Sequence, residues 1–174
     1  MSGSLIKIDE EIVTSAVASV TLTGIDSTYD VYMVKVNNLK CDVASSSYAR
    51  FTVSGTPDTS ANYDWAYKEL RADTTFNNTS NTNQTGLSEI FLSTDDGVTG
   101  SQANGTHYLF NFNNASEYSF ITVENTTVRH TSVLFGHQGG GVLTVAQACD
   151  GIQYVANGNN FTSGKFTLYG LKKW

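Results

Sequence analysis

The segment Lys165–Leu171 reads KFTLYGL and gives the first indication of the fold class of this chain. Phe166 and Leu168 alternate with Thr167 and Tyr169, and this period of two predicts a β-strand. A strand close to the end of a chain is stable only when it pairs into a sheet. We therefore expect this segment to lie in the core.

Similar alternating runs recur along the chain, and Gly, Asn and Asp residues separate them. They lie at 16–23, 32–36, 49–53, 108–112, 119–123, 132–135, 142–146 and 152–156. The Asp-Gly and Asn-Gly pairs between them supply the positive φ angles of tight turns. About eight to ten short strands without alternating helices predict an all-β protein. The expected architecture is an antiparallel, jelly-roll-like β-sandwich with long loops rich in Asn, Ser, Thr and Gly.

Three segments carry separate predictions. Residues 72–106 are so polar that they predict long surface loops. Residues 61–71 are the one weak helix candidate, and Gly136–Gly141 predicts a flexible loop between strands, because it matches no phosphate-binding motif.

The length of the chain, 174 residues with 40% hydrophobic residues, fits one domain with a substantial core. We assign residues 13–174 to a single β-sandwich domain. Residues 1–12 form either an N-terminal arm, a candidate anchor, or the first strand. Lys7, Asp9, Glu10 and Glu11 interrupt this segment, so it is not a signal peptide, and synthesis in a cytoplasm is expected.

The distribution of charge and the lengths of the apolar runs argue against two kinds of partner. The net charge is −6 and the ten basic residues are scattered, whereas a nucleic-acid-binding protein concentrates positive charge on one face. No apolar run approaches the ~18 residues that span a membrane. The sequence therefore predicts neither a nucleic-acid nor a membrane partner.

The reactive side chains do not form a recognisable active site. His107, His130 and His137 have no metal-ligand spacing, and we interpret them as surface or strand-end residues. Cys41 and Cys149 are interpreted as buried free thiols, with a disulfide as the open alternative. The sequence therefore predicts no catalytic residue, no metal site and no cofactor.

Tyr63, Trp65 and Tyr67 form an aromatic stripe that allows two interpretations. On a strand the three rings face one side, where they either pack in the core or form a platform for sugar rings or a partner's apolar patch. A helical conformation would exclude the platform. We name the three residues, with Trp174, as candidate ligand or partner contacts.

Several motifs of the chain resemble those of small all-β virion surface proteins and fibre-tip domains of marine tailed phages. The motifs are Ser15–Ser19 followed by Leu22–Tyr32 with its YDVY ending, Phe110–Phe112 with Tyr118–Ile121, and the closing Ser163–Leu171. The resemblance covers most of the chain but carries no catalytic residues. It implies a place on the virion surface after synthesis in a host cytoplasm.

The resemblance favours a non-enzymatic structural protein on the exterior of a tailed-phage virion, with a capsid decoration or accessory protein preferred. The alternative is a tail fibre or receptor-binding module that recognises host surface glycans. Expected partners are major capsid or tail proteins and further copies of the chain, with a trimer favoured by the resemblance.

Overall fold

A computed structural model describes residues 4–172, except for the side chain of Ser93. Two antiparallel β-sheets pack face to face, which confirms the all-β sandwich. No helix occurs between residues 4 and 172. Trp174, one of the candidate contacts, lies outside the described residues.

The larger sheet has eight strands. In spatial order they are β1 (Leu5–Val13), β13 (Phe161–Leu171), β3 (Val31–Cys41), β9 (Gln102–Phe110), β10 (Ser119–Val128), β11 (Leu134–Leu143), β6 (Tyr63–Arg71) and β7 (Asn77–Gln84). The smaller sheet contains β2 (Ser19–Thr23), β12 (Gly151–Val155), β4 (Ser45–Val53) and β5 (Thr56–Pro57), and β8 (Leu87–Thr94) also pairs with β4. The finer jelly-roll likeness stays a prediction.

The closing strand lies where its sequence predicts. β13 pairs with β1 on one side and with β3 on the other, and Phe166 and Leu168 are fully buried between the sheets. The strand begins at Phe161, earlier than its alternating pattern suggests. Residues from one end of the chain therefore help to hold the other end in the sheet.

The core between the sheets is rich in aromatic rings. The ring of Tyr154 on β12 lies 5.3 Å from that of Phe166 on β13, and the ring of Phe51 on β4 lies 5.6 Å from that of Tyr63 on β6. Each pair joins one sheet to the other. Such pairs contribute about 0.5–1.5 kcal/mol beyond their buried area.

The N-terminal segment is the first strand of the larger sheet over its described part. β1 pairs with β13 through a bulge between Lys7 and Asp9. The carboxylate of Asp9 accepts a hydrogen bond from the amide of Thr23 at 2.8 Å, which ties β1 to the edge of the smaller sheet.

The prediction of long loops across residues 72–106 is wrong. This segment contains β7, β8 and the start of β9. β7 is polar because it is an exposed edge strand, whereas β8 inserts Leu87, Ile90 and Phe91 into the core. Composition alone does not distinguish a polar edge strand from a loop.

The weak helix prediction for residues 61–71 and the loop prediction for Gly136–Gly141 are also wrong. β6 and β11 pair over nine consecutive residues. The glycines are required by the close approach of neighbouring strands, since a Cβ on Gly140 would lie 2.5 Å from the carbonyl oxygen of Ile121. Their role is therefore packing rather than flexibility.

Candidate functional site

The solvent-facing side of the larger sheet, called here the outer face, is the candidate functional site. Along β10 the side chains alternate strictly, with Ile121 and Val123 buried against the smaller sheet. Phe120, Thr122 and Glu124 point to solvent instead. An aromatic residue thus occupies a position where the pattern of the strand calls for a polar one.

Pairing registers connect Phe120 to a row of apolar side chains across six strands. Phe120 lies opposite Phe110 on β9 and opposite Val142 on β11. Phe110 lies opposite Val31 on β3, and at the sheet edge Leu5 lies opposite Leu171. The row in strand order is Leu5, Leu171, Val31, Phe110, Phe120 and Val142.

A second row deepens this apolar surface. Tyr169, Met33 and Tyr108 lie opposite one another on β13, β3 and β9, two residues along the strands from the first row, and Met33 is only 5% exposed. We call the two rows together the apolar band. The relative exposure of Leu5 is 52% and that of Phe120 is 43%, so the band is open to solvent at these positions.

Charged side chains border the band on the next row. Lys35 lies opposite Thr106, which lies opposite Glu124, and Gln138 beyond it lies opposite Lys68. Lys165 donates to the carboxylate of Glu10 at 2.9 Å on the same side. The outer face is therefore divided into a half with mixed charges and a mainly apolar half, in which Lys7 lies opposite Tyr169 and Thr122 opposite Tyr108.

A groove with a glycine floor lies at one end of the band. Its volume is about 500 Å³, and its lining includes Phe120, Val142, Gly140, Thr122, Asp64 and Ser80. The depression exists because Gly140 places no side chain between its neighbours. The carboxylate of Asp64 accepts from the amide of Asn83 at 2.8 Å, which orients it at the rim.

The predicted aromatic stripe faces the core. Tyr63, Trp65 and Tyr67 lie on one side of β6, as expected for a strand, and are 0%, 7% and 3% exposed. The indole of Trp65 stacks on the ring of Tyr67 at 5.0 Å, and Tyr67 stacks on His137 at 5.2 Å. The core interpretation is confirmed, and this strand has no exposed platform.

His107 and His137 lie in the core, so their interpretation as surface or strand-end residues is wrong. The Nδ1 atom of His107 lies 2.7 Å from the hydroxyl of Tyr154, and burial lowers the pKa of His107 to about 3. The Nδ1 atom of His137 lies 2.8 Å from the carbonyl oxygen of Glu89 and must donate to it. Burial also lowers the pKa of His137.

Both cysteines are buried free thiols, as predicted. Burial raises the pKa of Cys149 to about 11 and also raises that of Cys41. A protonated, inaccessible thiol is a poor nucleophile. The two thiols therefore act as small apolar residues of the core.

The described residues offer neither a metal site nor a membrane-spanning helix. Between residues 4 and 172, no group of three or more His, Cys, Asp or Glu side chains could hold a metal ion. No helix in this part of the chain is long and apolar enough to cross a membrane.

The sequence carried a signal for Phe120 that pattern analysis of single strands did not use. The run Ser119, Ile121 and Val123 marks the buried face of β10, which leaves Phe120 on the opposite face. The band, however, joins residues as far apart as Leu5 and Leu171. Only the strand order reveals that these residues are neighbours.

Comparison of the chain with models of protein families, with curated proteins and with solved structures gives no match to any of them. The function proposed for this chain is therefore based on its own surface and on the resemblance in its motifs.

Proposed function

We propose that the protein is a non-enzymatic structural protein on the exterior of a tailed-phage virion, where it acts as a capsid decoration or accessory subunit. The observation that carries this proposal is the apolar band on the outer face. The resemblance of the sequence motifs supplies the virion context.

The composition of the outer face is similar to that of protein interfaces, which supports the proposal. Burial of apolar surface contributes roughly 25 cal/mol per Å², so a band that spans several strands is better covered than left in water. The mixed charges around Lys35 and Glu124 then form a polar rim, the usual border of an interface core. A major capsid or tail protein is the proposed occupant.

The sheet holds the band rigidly before any partner binds. β9 and β10 lie in the middle of the eight-stranded sheet, so Phe110 and Phe120 are fixed by pairing on both sides. A surface that is already ordered loses little conformational entropy on binding. This property suits a subunit that docks onto a completed particle.

The test is co-sedimentation of the purified protein with virions of the phage that encodes it. We expect the wild-type protein to sediment with particles, and Phe120→Ser to raise the dissociation constant roughly tenfold or more, because the lost ring contributes about 1.5–3 kcal/mol when buried. Thr126→Ala is the matched control, since Thr126 is exposed on the same strand and face but lies outside both the band and its charged border.

Two results would contradict the proposal. One is a wild-type protein that stays in the soluble lysate and is missing from washed virions. The other is a Phe120→Ser variant that binds particles as tightly as wild type. Melting curves of both variants must match that of wild type, because both positions are exposed.

A receptor-binding module that recognises host glycans is the second candidate, and the glycine-floored groove is the observation that favours it. The exposed ring of Phe120 borders the groove, and the polar residues Asp64, Ser80 and Thr122 are among those that line it. Sugars bind by stacking on an aromatic ring while their hydroxyls bond to such groups. We expect Phe120→Ala to abolish binding to host polysaccharide in this case, with Phe110→Ala as the control farther along the band.

A further inference from the structure

The free edge of β1 differs from the other end of the larger sheet. Leu5, Ile6 and Ile12 on this edge strand are 52%, 41% and 58% exposed. β7, the opposite edge strand, reads NNTSNTNQ and has no large apolar side chain. An exposed edge with aliphatic side chains is a template for pairing with another strand.

The backbone of β1 points alternate peptide groups toward that edge. The amide of Lys172 donates to the carbonyl of Ser4 at 3.4 Å, so Ser4 faces β13. In an antiparallel ladder the next residue then faces away. With the bulge between Lys7 and Asp9, the residues facing the free edge are Leu5, Lys7, Glu10 and Ile12.

The same four residues have their side chains on the outer face. Leu5 lies opposite Leu171, Lys7 opposite Tyr169, Glu10 opposite Thr167 and Ile12 opposite Lys165. The order along the edge is thus aliphatic, cationic, anionic, aliphatic. This order is complementary to itself when a second strand runs antiparallel.

We propose that β1 pairs with β1 of a second copy of this chain about a two-fold axis between residues 8 and 9. The pairing places Leu5 opposite Ile12 of the second copy and Lys7 opposite Glu10 of the second copy. The two-fold axis repeats both contacts with the copies exchanged. Both pairs join residues that face the free edge and share the outer face. The two larger sheets become one continuous sheet of sixteen strands, twice the eight of one copy.

The amide of Glu10 faces the free edge and donates to the Oδ1 atom of Asp9 at 2.8 Å, so the pairing must replace this bond with one to the carbonyl of Lys7 of the second copy. Asp9 turns toward the smaller sheet, where it accepts from the amide of Thr23 at 2.8 Å. Glu10 lies 3.5 Å from Lys7 and 2.9 Å from Lys165 within one copy, so it already has cationic neighbours. The Lys7 side chain is 57% exposed, which leaves it free to reach across the edge.

This pairing is isologous and closes at two copies. A trimer, as the resemblance implies, would need a different surface. The inference depends only on contacts between copies of this chain and does not rest on the proposed function. A protein that stays monomeric could still bind virions, and a protein that does not bind virions could still form the dimer.

The test is sedimentation equilibrium of the full chain, which measures its mass in solution, from about 1 to 500 µM. The range extends to high concentration because an interface smaller than about 1,000 Å² binds weakly. We expect the wild type to reach the mass of a dimer within this range. Lys7→Glu and Glu10→Lys should each stay monomeric, because each places like charges opposite one another across the axis. An equimolar mixture of the two variants should recover the dimer, since opposite charges then meet at both sites.

The dimer recovered in the mixture cannot be explained by the Lys7–Glu10 ion pair within one chain. Each variant carries two like charges at these positions and cannot form that pair. A wild type that stays monomeric throughout overturns the proposal, as does a mixture of two folded variants that stays monomeric. Should Glu10→Lys fail to fold, Ile12→Thr serves instead. It keeps a β-branched residue on the strand and should weaken the dimer about tenfold or more, since its aliphatic contact occurs twice. An unchanged dissociation constant for Ile12→Thr would also overturn the pairing.

Discussion

At the scale of single residues, the two buried histidines show how the core fixes a protonation state. The tautomer of His137 is set by the carbonyl of Glu89, which requires a proton on Nδ1. His107 shares a hydrogen bond with Tyr154 and is enclosed by aromatic rings, among them Phe91 at 5.2 Å. Both side chains fold as neutral groups, so protonation opposes folding.

This burial predicts a pH dependence of stability. The pKa of His107 falls from 6.5 unfolded to about 3 folded, so the unfolded chain binds more protons between these values and the free energy of unfolding decreases as the pH falls. The slope approaches about 1.4 kcal/mol per pH unit for one histidine. Urea unfolding at pH values from 7 to 5 measures this slope. The range stays above the titration of carboxylates such as Asp42, whose pKa is lowered by hydrogen bonds from Asn160.

His107→Gln is the variant that isolates this effect, because an amide keeps a hydrogen-bonding group near Tyr154 but does not titrate. We expect the variant to lose the share of the slope that His107 contributes and to keep the share of His137. An equal slope for wild type and variant would show that His107 does not control acid sensitivity.

At the scale of elements, the sequence predicts the strands whose two faces have different surroundings. β10 and β13 alternate between side chains that face the core and side chains that face the outer side, and this pattern predicts both strands. β9 and β10, which include most of the predicted runs at 108–112 and 119–123, pair with each other. Periodicity identifies these elements because burial on one face is the force that selects them.

The missed strands lack this contrast for identifiable reasons. β7 is exposed on both faces, so nothing in it alternates. In β11 three consecutive glycines replace side chains, because a Cβ at the first two would meet the backbone of β6 or β10 and a Cβ at Gly141 would meet Leu87 on β8. The apolar band was not predictable either, since it depends on which strands become neighbours.

The position of β13 between β1 and β3 allows a prediction for a truncated chain. Deletion of residues 165–174 removes most of β13 and leaves β1 without a partner and β3 without one of its neighbours. The deletion also removes Phe166 and Leu168 from the core, at a cost of about 2–5 kcal/mol for each large side chain. We expect the truncated protein to lack a cooperative transition in circular dichroism, and a melting curve like that of wild type would contradict this expectation.

At the scale of the whole molecule, the two proposed contacts use different parts of the larger sheet. The apolar band extends over its outer face, and the pairing of β1 uses one edge. Leu5 belongs to both, because it ends the band and faces the free edge. A pair of copies would therefore present two bands on one continuous sheet, a suitable arrangement for attachment to a repeating surface.

A cryo-electron microscopy reconstruction of the virion tests the central proposal most directly. We predict density for this sandwich on the exterior of the particle, with Phe110, Phe120 and Val142 covered by a neighbouring virion protein. Absence of the chain from the particle would contradict the account. Density in which the apolar band faces solvent would contradict it equally, because the band would then not be the attachment surface.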